Sequence, residues 1–272
     1  MQKTLLQMVD FYTNQPLRGR VALITGVSRR VGIGFATARQ LGQMGADLFV
    51  HSFAPFDQAA PWGADPGGME AVLAGLRQTK RGVGHLEADF MLPESPRRVI
   101  DAALEEFGHI DILIANHAHS LTGPLETLTA ESLDAALAVN VRATLLLIKY
   151  FAAQHGDRPG GRVVMMTSGQ HRDPMPTELA YVASKGAIHQ LTRSLSDHLV
   201  RRGITVNTVN PGATDTGWAD DATRRRVLER EPQGRWGMPE DAARLIAWLV
   251  SDDGQWVTGE VINSTGGGGH MR

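Results

Sequence analysis

From Arg18 onward, short apolar runs alternate with longer stretches of helical spacing. Val21 to Thr25 (VALIT) is too short for a helix and is followed by glycine, so it predicts a buried strand. FATARQLGQMG then has helical periodicity, with Gly45 as its stop. Asp47 to Ser52 (DLFVHS) reads as a second strand, the turn-rich stretch 54–68 as an insertion-like loop, and Met69 to Gln78 as a helix. VGHLEAD, DILIANHA, Arg162 to Ser168 (RVVMMTS), ITVNTVNPG and GEVINSTGG continue the strands. Between them lie helical patterns at Ser95 to Phe107, Leu125 to Gln154 (with a break), Thr177 to Arg202, DATRRRVLEREP and PEDAARLIAWLVSD.

Strands that alternate with helices, and that are apolar throughout, belong in a parallel sheet covered on both faces. The pattern predicts a single α/β domain, a Rossmann-type doubly wound parallel sheet of about seven strands, over residues 17–267. Residues 1–16 read as an N-terminal arm and 268–272, after a short glycine run, as a flexible tail.

Composition narrows the chemistry. At 272 residues and 42% apolar content, the chain can bury a full core. A net charge of -2 gives no global attraction to nucleic acid or anionic lipid, and Arg201-Arg202 reads as a solvated helix face. With no cysteine, disulfides, thiolate nucleophiles and cysteine-ligated metals are excluded. Asp10 interrupts the apolar N-terminal stretch before a signal core forms, and no run approaches the roughly 20 apolar residues of a membrane span, so a cytoplasmic protein without membrane contact is expected.

Candidate chemistry centres on YVASK. Tyr181 and Lys185 are four apart, which on a helix puts a phenol and an ammonium on one face. A nearby cation favours the phenolate and brings tyrosine toward a useful acid/base range. Ser168 at the end of an apolar strand and Asn140 inside the preceding helix complete a set suited to carbonyl reduction. The chain also carries Thr25-Gly26-Val27-Ser28-Arg29-Arg30-Val31-Gly32-Ile33-Gly34, a glycine-containing turn between a strand and a helix. Glycines allow close backbone approach and the helix N-terminus offers amide N–H groups to a pyrophosphate. The second strand ends in His51-Ser52-Phe53 without the carboxylate that selects an unphosphorylated adenosine ribose. With Arg29 and Arg30 in the turn and Ser52 as a donor, NADP(H) is expected over NAD(H).

These residues resemble the short-chain dehydrogenase/reductase family from about Arg18 to Gly267. The landmarks are the glycine turn, Asp89 in LEADF, Asn116 in ANHA, Asn140 in LAVNVRA, Ser168 in VVMMTSG, YVASK, and Pro211-Gly212 with Thr216 in NPGATDT. The turn departs from the family by placing five residues between Gly26 and Gly32 where three are usual, and ANHA lacks the glycine of the usual NNAG. The last third is similar to the 3-oxoacyl-[acyl carrier protein] reductase branch. The resemblance implies hydride transfer between a nicotinamide and a ketone or secondary alcohol, with Tyr181 moving the proton and Ser168 binding the oxygen. In the family, Lys185 tunes the tyrosine and holds the nicotinamide ribose, and Asn140 holds a water that links the lysine to solvent. It implies cofactor contacts from Gly26, Ser28, Arg29, Arg30, Gly32, Ile33, Gly34, Ser52, Asp89, Asn116, Tyr181, Lys185, Pro211, Gly212 and Thr216. A homo-oligomer, tetramer or dimer, is expected through the two long helices.

Two alternatives stay open: enoyl reduction, since extended glycine turns occur there, and a non-catalytic dinucleotide-binding regulator. The spacing from Tyr181 to Lys185 argues for C=O over C=C, and the complete set of four argues for turnover. His117 and His119 form the tightest pair among ten histidines, without a third ligand at metal-binding spacing. His171 stands on a loop that flanks substrate in the family, Trp218 opens a lid-like segment, and Arg224 to Arg226 form a basic cluster within it.

Overall fold

A computed structural model describes residues 15–156 and 158–268; nearly all of the expected arm and tail lie outside the described residues. The strands are β1 (Val21–Ile24), β2 (Asp47–Ser52), β3 (Val83–Glu87), β4 (Ile112–Ala115), β5 (Gly161–Met166), β6 (Ile204–Asn210) and β7 (Val261–Asn263). They form one seven-stranded sheet in the order β3-β2-β1-β4-β5-β6-β7, every pair parallel. β1, β4, β5 and β6 are buried along their whole lengths, as helices on both faces require.

The principal helices are α1 (Ile33–Gln43), α2 (Ala54–Ala59), α3 (Gly68–Arg77), α4 (Ser95–Phe107), α5 (Ala130–Ala136), α6 (Thr144–His155), α7 (Leu179–Leu199), α8 (Asp221–Leu228) and α9 (Pro239–Val250). Two apolar clusters flank the sheet. One joins Leu41 of α1 and Ile246 of α9 to Ile24 and Val50; the other joins Ile100, Leu147, Phe151 and Ile188 to Leu113 and Val163. Each such fully buried side chain contributes about 1.5–3 kcal/mol. The strand order reverses between β1 and β4, with β2 and β3 laid down on one side and β4 to β7 on the other, and this switch point opens a crevice at the carboxyl ends of the parallel strands.

Two regions differ from expectation. The run expected as a long helix with a break is a 3-10 turn, α5, a π-helical segment Leu137–Ala143 and α6; the π segment spans LAVNVRA and carries Asn140. The helical stretch Ala130–His155, at 26 residues and mean hydropathy 1.4, does have the length and composition of a membrane span, contrary to expectation. Half of that window is buried, because Leu147, Ile148 and Phe151 pack into the second cluster. The insertion-like loop is also ordered: it contains α2 and folds back over the crevice.

Candidate active site

The glycine turn is built by close packing. Gly26 has φ +72°, and a Cβ there would come within 2.8 Å of the His117 backbone; at Gly34 it would lie 2.5 Å from the Gly26 carbonyl oxygen. Neither position tolerates a side chain without the turn moving away from β4. Asn116 fastens the same turn, its Nδ2 donating to the carbonyls of Thr25 and Gly26 at 3.1 Å each. Gly32 precedes α1 without a side-chain cap, and the first turn holds no acidic residue. The helix therefore presents its amides to the crevice, a good match for a pyrophosphate.

A cavity of about 450 Å³ lies over this turn. Gly26, Ser28, Arg29, Gly32 and Ile33 line one side, and Asp89, Asn116 and Thr216 also face it. Asp89 accepts a hydrogen bond from the Met91 amide at 2.8 Å. Its other walls come from residues that sequence reasoning did not assign to the cofactor: Phe56, Asp57 and Trp62 of the folded-back loop, and His51, Phe90 and His119 beneath.

The expected phosphate ligands are partly committed elsewhere. The Ser52 hydroxyl is fully buried and shares a 2.8 Å hydrogen bond with His85 Nε2, so it does not face the cavity. β2 is flanked by β1 and β3, and the pleat turns this side chain inward. Arg30 is held by Asp65, which accepts from its amide at 2.8 Å and from Nη2 at 2.7 Å. The guanidinium in turn holds the Asp65 carboxyl down to about 2. Arg29 does line the cavity, but its Nε lies 3.2 Å from Asp57, and its guanidinium sits 5.7 Å from the Trp62 ring centre. Both aspartates come from the one loop, and no spacing rule ties them to the arginines.

The side chains expected to be catalytic converge around β5 and α7. Ser168 follows β5, and its side chain favours ionisation of the Tyr181 phenol against the effect of burial. Lys185 is buried, with Nζ donating to the Met166 carbonyl at 2.9 Å. Asn140 uses Nδ2 to reach the His119 carbonyl (2.9 Å) and Ser184 Oγ (2.8 Å), while its Oδ1 accepts from the His119 amide at 2.7 Å. Ser184 Oγ in turn donates a hydrogen bond to the Tyr181 carbonyl at 2.8 Å, which ties the π segment to α7. π segments recur at functional sites.

The expected lowering of the phenol is reversed. Burial pushes Tyr181 up to about 12, the Ser168 side chain opposes this, and Glu178 adds to it. The ammonium is 5.6 Å from the ring centre and committed to Met166. Burial also lowers Lys185 to about 8. At neutral pH the site thus holds a protonated phenol beside a largely protonated lysine, which suits proton donation to a carbonyl oxygen.

The remaining landmarks frame the crevice. Gly212, after Pro211, has φ +68°, and a Cβ there would meet Thr265 at 3.0 Å. The segment beyond Thr216 is latched: Arg224 donates to both oxygens of Asp215 (2.8 and 2.6 Å), and Trp218 packs edge-on against Trp236. Arg224 is therefore not free for an anionic substrate. His117 is buried, its Nε2 donating to the Val139 carbonyl at 3.0 Å and its Nδ1 accepting from Thr25 Oγ1 at 2.7 Å. Among the described residues no group of three or more His, Asp or Glu could hold a metal. His171 stacks on His189 at 4.7 Å.

Residues 26–268 match the family model described as enoyl-(acyl carrier protein) reductase. The chain is 39% identical over 250 residues to the uncharacterized oxidoreductase YjdA of Bacillus subtilis, a match covering 91% of this chain and 96% of that one. A crystal structure of a short chain dehydrogenase from Burkholderia cenocepacia in complex with NADP is similar with a TM-score of 0.83 and 34% identity, over 94% of this chain and 100% of the other. A blue fluorescent protein from a metagenomic library, in complex with NADPH, is similar with a TM-score of 0.83 and 31% identity, over 93% and 99%.

Proposed function

The chain belongs to the short-chain dehydrogenase/reductase family and is an oxidoreductase, and from that premise we propose that it interconverts a ketone and a secondary alcohol with NADP(H), Tyr181 being the proton donor and acceptor. The observation that carries this reading is the Ser168–Tyr181–Lys185 cluster: a protonated phenol influenced by Ser168, one helical turn from a buried lysine. Bound in the crevice, a nicotinamide supplies the hydride. Tyr181 holds a proton at Oη for the carbonyl oxygen, Ser168 Oγ donates to that oxygen as charge develops, and Lys185 keeps positive charge nearby. Asn140 positions α7 through Ser184.

NADP(H) is favoured over NAD(H) because β2 ends without a carboxylate and Arg29 lines the groove; the similar Burkholderia and metagenomic proteins bind NADP and NADPH. A dimer or tetramer formed through the outer faces of α6 and α7 belongs to the same reading, and light scattering would give the number.

The test is a panel of ketones, including a 3-oxoacyl thioester, and an enoyl thioester, each with NADPH. Ketone turnover that falls by about a thousandfold in Tyr181→Phe, with the thermal midpoint retained, is the expected result. Reduction of the enoyl thioester alone would replace C=O chemistry by C=C chemistry, and unchanged turnover in Tyr181→Phe would remove the tyrosine from the mechanism.

A further inference from the structure

The loop that follows β2 roofs the dinucleotide groove and is pinned there by charge. Phe56 reaches across to His119 at the far edge, with ring centres 5.2 Å apart, and packs against Trp62 at 6.2 Å. Trp62 Nε1 donates to Asp57 Oδ1 at 2.9 Å, and the same oxygen faces Arg29 Nε at 3.2 Å. The Arg29 and Asp57 side chains are only 14% and 13% exposed, so this ion pair is shielded from water.

The two arginines of the turn are held very differently. Asp65 engages Arg30 through the amide, Nε and Nη2, and the Arg30 side chain stays 45% exposed away from the groove. Arg29 meets its carboxylate at one nitrogen. Among the described residues Asp57 is its one ion-pair partner, which leaves the two Nη groups for an incoming anion. A guanidinium suits the paired oxygens of a phosphate better than a single carboxylate contact.

We propose that Asp57 is a self-blocking residue of the groove that sets cofactor affinity: it occupies Arg29 as an internal anion, and a cofactor phosphate must displace it to bind. The inference rests on the reading of this groove as a dinucleotide site. Asp57 then sets how tightly the groove holds a dinucleotide, because the phosphate that reaches Arg29 competes with a carboxylate already in place. The phosphate can be the 2′-phosphate of NADP(H) or the pyrophosphate common to both cofactors.

Calorimetric titration of the full chain with NADPH and with NADH, in wild type, Asp57→Asn, Arg29→Gln and the double variant, tests this without turnover. In Asp57→Asn the dissociation constant for NADPH should fall by about tenfold, equivalent to roughly 1.4 kcal/mol, and Arg29→Gln should abolish the gain in the double variant. A gain confined to NADPH assigns the 2′-phosphate, and an equal gain for NADH assigns the pyrophosphate; both support displacement. Unchanged or weaker binding in Asp57→Asn, or a gain that survives Arg29→Gln, overturns the proposal, the latter because a loosened roof alone would explain it. Should Asp57→Asn not fold, Asp57→Ser carries the same comparison. If wild type binds neither dinucleotide, the functional reading falls and takes this inference with it; binding of both with no effect at Asp57 removes this inference alone.

Discussion

The two ends of the groove are assembled on different principles. At the end proposed to be catalytic, Tyr181 and Lys185 ride on one helix and are fixed by elements on either side, with Met166 of β5 and the π segment as anchors. At the nucleotide end, the charged groups belong to a turn and a loop that neutralise each other: Arg29 with Asp57, Arg30 with Asp65. One end holds its polar groups on a rigid frame, and the other holds its charged groups in pairs with one another. Catalysis needs fixed geometry, whereas binding tolerates an exchange of partners.

The sharpest way to break this contrast is Lys185→Met, which should separate activity from stability. Loss of the ammonium should lower kcat/KM by about a hundredfold or more. Burial costs the fold, because a lysine lowered from 10.5 to about 8 carries on the order of 3 kcal/mol when charged. Between pH 8 and 10.5 the unfolded chain binds more protons than the folded one, so wild-type stability should rise with pH through that window, with the full cost present below pH 8. The variant should therefore melt at a higher temperature than wild type at pH 7, and the advantage should vanish above pH 10.5. Wild-type kcat/KM should also decline above about pH 8, as the lysine loses its proton. A variant less stable than wild type at pH 7 would mean that the Met166 hydrogen bond outweighs burial.

Gly34→Ala probes the other end, with a smaller effect. The added Cβ would press on the Gly26 carbonyl and Asn116 Nδ2, both part of the turn's packing against β4. Overpacking of this kind costs about 1–3 kcal/mol. Binding of either dinucleotide should weaken with it, since the helix N-terminus must shift, while Tyr181 and Lys185 keep their partners. An unchanged thermal midpoint would show that the turn relaxes freely.

The same contrast decides what could be read in advance. Sheet and helices were legible because apolar periodicity is local, and YVASK was legible because an i,i+4 pair needs nothing beyond its own helix. The raised phenol was not: its cause is burial by surrounding elements, and spacing reports only which groups are neighbours. The π segment at Asn140 was visible only as a break in a helical pattern. Asp57 and Asp65 were missed because they reach the turn through a loop whose path depends on Phe56 meeting His119 and Trp62 meeting Asp57. The available signal was charge: two aspartates in one short loop after the strand that neighbours a pair of arginines.

Ser52 is where local reading and tertiary context disagree most cleanly, and Ser52→Ala should have the smallest effect. At the end of β2, without a carboxylate, the residue had the position of a phosphate donor, but its hydroxyl is enclosed and bonded to His85. Removal of a neutral buried hydrogen bond costs about 0.5–1.5 kcal/mol of stability and should leave NADPH affinity nearly untouched. A hydroxyl donating to a phosphate would act in the opposite pattern. Its loss would spare the thermal midpoint and remove a charged hydrogen bond of about 1.5–3 kcal/mol, at least a tenfold rise in the dissociation constant for NADPH and none for NADH. The two patterns do not overlap, so paired melting and titration of one conservative variant decide whether the Ser52 hydroxyl takes any part in holding NADPH.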